Sequence, residues 1–76
     1  MTRWEYSEYN FGSYYVGNRA QWSTWTGPDG SRKEMTGNYL AVLTALGRDG
    51  WEVIAVNSAD TPTQGSVHYL LKRALI

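Results

Sequence analysis

Cysteine is absent from this chain of 76 residues, and histidine occurs only once. Without cysteine no disulfide can form, and no thiolate is available to hold a metal ion. One histidine leaves no histidine pair for a metal site and a single imidazole for general-base chemistry. The composition therefore excludes the disulfide-stapled scaffolds and gives little support to metal-dependent or nucleophilic catalysis.

Long apolar runs are also absent. No stretch approaches the ~20 apolar residues that span a bilayer. The opening residues, MTRWE, lack the apolar segment of a signal peptide. A chain without cysteine suits a reducing compartment. We therefore expect a cytoplasmic protein with no membrane partner.

Neither sign of charge is in excess, because seven basic residues balance seven acidic ones. Proteins that bind nucleic acid in general carry a basic surplus, since they gain affinity by releasing counterions from the phosphates. We therefore expect no long nucleic-acid partner. A single nucleotide stays open as a ligand, because one or two arginines suffice to bind it.

Residue patterns typical of catalysis are missing as well. Ser58 and Asp60 precede His68 in the sequence, but no nucleophile elbow surrounds the serine. Glu5 and Glu8 lie on opposite faces of a predicted strand. Residues 27–30 lack the Gly-Lys-Ser ending of a phosphate loop. We expect a non-enzymatic protein with no catalytic residue, bound metal or cofactor.

Aromatic residues are abundant by contrast. Four Trp, six Tyr and one Phe make up 14% of the chain, and seven of these eleven lie between Trp4 and Trp22. A domain of this size has only a small core. Some of the aromatic side chains must therefore lie on the surface or in an interface, where Trp and Tyr are enriched.

The first half of the chain has the pattern of strands. Arg3–Tyr9 alternates so that Trp4 and Tyr6 share a face, which predicts a first strand. Residues 21–26 (QWSTWT) and 31–35 (SRKEM) flank the turn sequence Gly-Pro-Asp-Gly, which predicts a hairpin. The charged second arm of this hairpin is typical of an edge strand.

A helix is predicted over Asn38–Asp49, because Leu40, Leu43 and Leu46 recur at intervals of three. Asn38 is a capping residue, and Gly50 is suited to the left-handed position that ends a helix. One face of this helix is apolar, so we expect it to pack on a sheet.

Two more strands are predicted after the helix. Trp51–Asn57 is the most apolar short run and indicates a central strand. Val67–Ile76 alternates as a closing strand. We expect the three leucines of the helix to lie against the closing strand and against Val53, Ile54 or Val56.

These elements predict one α+β domain over residues 1–76. Its expected architecture is a mostly antiparallel sheet of four to five strands with one helix packed on one face, in the order β-ββ-α-β-β. Short connections between successive strands favour antiparallel neighbours.

Three segments together resemble a known family. They are the opening Trp4-Glu5-Tyr6, the block from Leu46-Gly47 to Gly50-Trp51-Glu52, and the closing Lys72-Arg73. The chain is similar to a family of very small bacterial and phage proteins of unknown function, which share a Leu-Gly-x-x-Gly-Trp-Glu helix-to-strand block. The likeness covers about half of the chain. It implies the fold and carries no activity, substrate or cofactor.

The aromatic and basic residues are the remaining candidates for a site. Aromatic faces stack on bases and arginine pairs with phosphate. We expect a self-associating, non-enzymatic binding module for a small aromatic anion such as a nucleotide. The alternative is a structural or protein-interaction subunit, a homo-oligomer or partner binder, without a small-molecule ligand. The candidate ligand-binding residues are Arg3, Tyr6, Tyr14, Arg19, Trp22, Trp25 and Arg32.

Overall fold

The computed structural model describes residues 2–14 and 21–75. In this part of the chain, one helix and five strands follow one another in the predicted order. Their bounds are β1 (Arg3–Tyr14), β2 (Gln21–Thr26), β3 (Arg32–Glu34), α1 (Tyr39–Arg48), β4 (Glu52–Asp60) and β5 (Gln64–Leu75).

The five strands form one sheet in the order β3-β2-β1-β5-β4, and every pair of neighbours is antiparallel. The predicted α+β class, with one helix packed on one face of the sheet, is therefore confirmed. The strands β1 and β5 pair along twelve residues each. They are about 40 Å long, whereas the ten-residue helix is about 15 Å long. The helix can thus cover only part of one face.

Local side-chain chemistry fixes the ends of these elements. Asn38 caps the helix, because its Oδ1 accepts a hydrogen bond from the N–H of Ala41 at 2.9 Å. Gly50, with φ of +91°, reverses the chain at the other end. In the hairpin turn, Asp29 accepts bonds from the hydroxyl and the N–H of Ser31, which lower the pKa of its carboxyl below the ordinary 3.8. The predicted turn, cap and stop residues all act as expected.

The core lies between the helix and the middle of the sheet. Its buried hydrophobic residues are Tyr9, Val42, Leu46, Trp51 and Leu71, and half-buried Phe11, Trp25, Met35, Leu43 and Tyr69 pack against them. Aromatic rings dominate this core. The ring of Phe11 stacks on Tyr39 with centroids 5.0 Å apart and 11° between the planes. The helix is thus held to β1 by aromatic stacking as well as by aliphatic packing.

The prediction of a central strand at Trp51–Asn57 is wrong. The strand β4 lies at an edge of the sheet, because β5 already pairs with β1 on its other side. All nine residues of β4 are exposed. An apolar run predicts burial only if a neighbouring strand or helix covers it, and neither α1 nor another described strand does so here.

The expected packing of the helical leucines is only partly confirmed. Leu46 is buried and Leu43 half-buried, but Leu40 is 59% exposed. Val42 takes its place in the core, since Val42 and Leu46 are four residues apart on one helical face. Val53, Ile54 and Val56 remain exposed. The helix is therefore turned toward β1 and β5 instead of β4.

Strand alternation gives the sheet two different faces. In β1 the odd-numbered Ser7 and Tyr9 are buried under the helix, whereas the even-numbered Trp4 and Tyr6 are exposed on the opposite side. We call this opposite side the open face. Following the register of β1, β2 and β5, it carries Trp4, Tyr6, Glu8, Asn10, Tyr14, Trp22, Thr24, Thr26, His68, Leu70 and Lys72.

Candidate binding surfaces

The structure distributes the predicted ligand-binding residues over both faces of the sheet. Tyr6, Tyr14 and Trp22 lie on the open face. Trp25 lies on the helix side, where it meets Trp51 edge-on with ring centroids 6.0 Å apart. Arg3 is exposed at the first position of β1. Arg19 lies outside the described residues.

Distance along the strand separates the open-face tyrosines. Tyr6 and Tyr14 are eight residues apart on β1, which is about 26 Å in an extended strand. They cannot contact one small ligand together. Of the predicted set, Trp22 and Arg32 line one shallow pocket, and Tyr14 contacts the indole of Trp22.

The indole of Trp22 is held in place from several directions. Its Nε1–H donates to Oδ1 of Asn10 at 3.2 Å. The ring of Tyr14 lies against it at 5.1 Å, tilted by 57°. Gly12 lies directly beneath the indole, where a Cβ would overlap the ring. Trp22 is thus a positioned aromatic surface, since its neighbours restrict its side-chain rotation.

Beside Trp22 is a shallow pocket of about 270 Å³, lined by Glu8, Asn10, Trp22, Thr24, Thr26 and Arg32. It combines an aromatic surface with the exposed guanidinium of Arg32. The carboxylate of Glu8 lines the same pocket and lies 3.4 Å from Nδ1 of His68. An anionic ligand would therefore be attracted at Arg32 and repelled at Glu8. The pocket suits an aromatic group better than it suits several phosphates.

A larger cleft of about 770 Å³ opens on the helix side of the sheet, next to the N-terminal end of α1. Phe11 and Tyr39 form an aromatic wall there, and Glu34 and Asp60 are also among the lining residues. Other polar residues that line the cleft are Ser13, Gln21, Ser23, Asn38, Ser58 and Ser66. Sequence reasoning missed this cleft because its lining comes from separate strands, the segment before α1 and the first residue of α1. No local motif marks it.

The outer edge of β4 is a third surface. Val53, Ile54 and Val56 are 39%, 42% and 55% exposed there. One side of β4 pairs with β5, and no described strand pairs with the other side. The sequence showed the apolar run but not its position in the sheet.

One arrangement on the open face has the order of a catalytic triad. Ser66 Oγ lies 3.4 Å from Nε2 of His68, whose Nδ1 lies 3.4 Å from Oε1 of Glu8. Both distances are long for hydrogen bonds. Ser66 also lies within β5, which pairs on both sides, so the backbone N–H groups around it are occupied in the sheet and offer no oxyanion hole. We interpret these contacts as polar links along and between strands.

Residues 2–14 and 21–75 contain neither a cluster of metal-binding side chains nor a long apolar helix. No three metal-binding side chains come together in this part of the chain, and it contains no candidate for a membrane-spanning helix. Comparison with protein-family models, curated proteins and solved structures finds no match. The resemblance to the small bacterial and phage family therefore stays a prediction.

Proposed function

We propose that this chain is a non-enzymatic interaction module that self-associates. One observation carries this proposal: more large hydrophobic side chains are exposed than buried. In the described residues five hydrophobic side chains are buried. The exposed ones are Trp4, Tyr6, Tyr14, Tyr39, Leu40, Val53, Ile54, Val56, Leu70 and Leu75.

Self-association supplies burial that the fold itself lacks. A domain of about this size has a marginal core, and small proteins commonly gain stability from disulfides, metals or oligomerisation. This chain has no cysteine. Association of identical copies would cover exposed aromatic and aliphatic side chains without requiring a different partner protein. It would also stabilise the folded state by mass action.

Sedimentation or light scattering after gel filtration tests the proposal directly. We expect the mass to rise from that of the 8.6 kDa monomer to that of a dimer or larger assembly as the concentration increases. Useful interfaces hold in the micromolar range, so the series should reach about 100 μM. A monomer at every concentration would contradict the proposal.

The shallow pocket beside Trp22 favours a second function, the binding of a small aromatic anion such as a nucleotide. The supporting observation is that the indole is fixed by Asn10 and Tyr14 while Arg32 lines the same pocket. A base would stack on Trp22, and one phosphate would pair with Arg32. Glu8 limits this site to ligands with few negative charges.

A thermal-shift screen against nucleoside monophosphates tests the second function. A ligand at 100 times its Kd adds about 2.7 kcal/mol of stability, which corresponds to roughly 10 °C or more in a domain of this size. Arg32→Gln should abolish the shift, whereas Lys33→Gln, the next residue along β3, should preserve it. If no nucleotide moves the melting temperature, the self-association function stands alone.

A further inference from the structure

The shallow pocket beside Trp22 carries one charge of each sign. Glu8 on β1 and Arg32 on β3 both line it, and Thr26 of β2 is the register partner of both residues. Register partners in a sheet share a face. Neighbouring strands are about 4.8 Å apart, so the Cα atoms of Glu8 and Arg32 are about 10 Å apart. The two charged side chains therefore lie on opposite sides of Thr26.

These two charges do not neutralise each other. Within the described part of the chain, Glu8 and Arg32 form no ion pair, and the guanidinium of Arg32 has no hydrogen-bond partner. Oε1 of Glu8 lies 3.4 Å from Nδ1 of His68, which is long for a hydrogen bond. The Glu8 side chain is 53% exposed. Both charged groups are therefore accessible to a ligand in the pocket.

A ligand of one charge sign matches only half of this pocket. An anion near Arg32 would be repelled by the carboxylate of Glu8, and a cation near Glu8 would be repelled by the guanidinium of Arg32. A zwitterion is attracted by both residues. Its ammonium group pairs with Glu8, and its carboxylate accepts two parallel hydrogen bonds from the guanidinium of Arg32.

The rest of the lining selects the size and the side group of the ligand. The indole of Trp22, held by Asn10 and Tyr14, forms one wall. An aromatic ring packs favourably on an indole in an offset or edge-on arrangement. The pocket volume of about 270 Å³ is below the roughly 300–1,000 Å³ of pockets that bind drug-sized molecules. The pocket therefore suits a single aromatic amino acid better than a peptide.

We propose that the pocket beside Trp22 binds a free aromatic amino acid in its zwitterionic form. Trp22 contacts the aromatic ring, Arg32 pairs with the α-carboxylate, and Glu8 pairs with the α-ammonium group. This inference rests on the second proposed function, ligand binding at this pocket, and assigns the ligand a different charge class. It does not depend on self-association.

Titration with L-phenylalanine, followed by nuclear magnetic resonance, tests the inference. Glu8 and Arg32 are exposed, and exposed ion pairs contribute little in water, so we expect a dissociation constant of about 0.1–1 mM. The signal of the Nε1–H of Trp22 should shift during the titration, because the ring of the ligand packs against this indole. Trp22→Phe identifies this signal among those of the four tryptophans. Phenylalanine has no indole signal of its own.

Two analogues of phenylalanine, each lacking one charged group, separate the two contacts. Phenylpropionate lacks the ammonium group, and phenethylamine lacks the carboxylate. Each analogue should bind about tenfold more weakly than phenylalanine, because it loses one attraction and keeps one repulsion.

Charge-removing variants assign each contact to its residue. Glu8→Gln should weaken the binding of phenylalanine about tenfold and strengthen that of phenylpropionate, because the repelling carboxylate is gone. Arg32→Gln should weaken phenylalanine equally and strengthen phenethylamine. Glu52→Gln and Lys33→Gln are the matched controls and should change no affinity. Glu52 is exposed at the start of β4, and Lys33 is the register partner of Trp25 on the helix side.

The outcomes separate this inference from the proposed function. If phenylpropionate or a nucleoside monophosphate binds as tightly as phenylalanine, the zwitterion is overturned and the aromatic anion remains the ligand. An unchanged affinity for phenylalanine in Glu8→Gln or Arg32→Gln would also overturn the inference. If neither amino acids nor nucleotides shift the Trp22 signal at about 10 mM, well above the expected dissociation constant, the inference and the second proposed function both fail.

Discussion

The indole of Trp22 lies directly over Gly12, so that no side chain fits at position 12. A Cβ there would overlap the ring and the carbonyl oxygen of Gly65. The two residues are register partners on β1 and β2. Glycine is therefore required at position 12 by the close approach of the indole. This contact fixes the position of the indole that lines the shallow pocket beside Trp22.

Gly12→Ala should destabilise the fold by about 1–3 kcal/mol, because the ring and the neighbouring backbone must both shift to admit a methyl group. Gly47→Ala is the matched control. Apart from the adjacent residues and the backbone of the helix itself, no described atom lies within 4 Å of a Cβ at Gly47, which is in the helix. Alanine should therefore stabilise the helix there by about 0.5–1 kcal/mol. Urea denaturation measures both changes. Equal effects of the same sign would contradict the packing of Trp22 on Gly12.

Tyr9→Phe should cost about 1 kcal/mol of unfolding free energy. The ring of Tyr9 is completely buried, and its hydroxyl lies 2.6 Å from Oγ of Ser23. Phenylalanine keeps the ring and removes this hydrogen bond. Tyr6→Phe is the control, because Tyr6 is half exposed on the open face. A loss in Tyr6→Phe as large as that in Tyr9→Phe would show that the buried bond is not the cause.

Ser7→Ala should raise the unfolding free energy, by about 1 kcal/mol. Ser7 is 4% exposed, and within the described part of the chain its hydroxyl has no hydrogen-bond partner. Removing a buried, unpaired hydroxyl removes its desolvation cost. Ser23→Ala should have the opposite sign, because the Ser23 hydroxyl bonds to Tyr9. Chemical denaturation of the two variants compares the signs, and destabilisation by Ser7→Ala would reveal a partner for that hydroxyl.

Arg73→Lys should destabilise the fold by about 1–2 kcal/mol. The guanidinium bonds Oε1 of Glu5 at 2.9 Å and the carbonyl oxygen of Asp49 at 3.1 Å, and it lies 4.4 Å from the ring centroid of Trp51. The ammonium group of lysine is not planar, so it cannot make both hydrogen bonds and lie over the indole ring at the same time. Arg48→Lys, at an exposed position in the last turn of the helix, should change little. Thermal melts of the two variants provide the comparison, and equal melting temperatures would refute the role of Arg73.

Stability should fall at alkaline pH partly through Tyr69. Burial raises the pKa of its phenol above the ordinary 10.0, and the neighbouring phenols of Tyr39 and Tyr9 raise it further. The unfolded chain then loses this proton before the folded chain does. Stability is therefore unaffected below about pH 10 and declines as the pH rises through the pKa of the folded state.

Tyr69→Phe should weaken this alkaline decline. Urea midpoints of the wild type and the variant between about pH 8 and pH 11 test the prediction. Tyr6→Phe serves again as the exposed control. An unchanged slope in Tyr69→Phe would assign the decline to other groups.

Local elements were determined by the sequence alone. The turn at Asp29, the cap at Asn38 and the reversal at Gly50 depend on side chains or φ angles within a few residues, so local rules suffice to predict them. The alternation of Val67, Tyr69 and Leu71 along the closing strand is likewise a property of adjacent residues. These features in chain order were enough to predict the α+β class and the antiparallel sheet.

Only the tertiary structure decided which apolar residues are covered. Ile54 and Leu71 both lie in apolar strands, yet β4 is an edge and β5 is central. The same holds for Leu40 and Val42. The orientation of the short helix about its axis buries Val42 and leaves Leu40 exposed. For this reason the predicted aromatic residues lie on different faces of the sheet: Trp22 on the open face, and half-buried Trp25 on the helix side, against the core. Sheet order and helix orientation are set by contacts between segments that are distant in sequence. The pattern of apolar and polar residues within one segment is the same whichever neighbour covers it, so this pattern cannot predict those contacts.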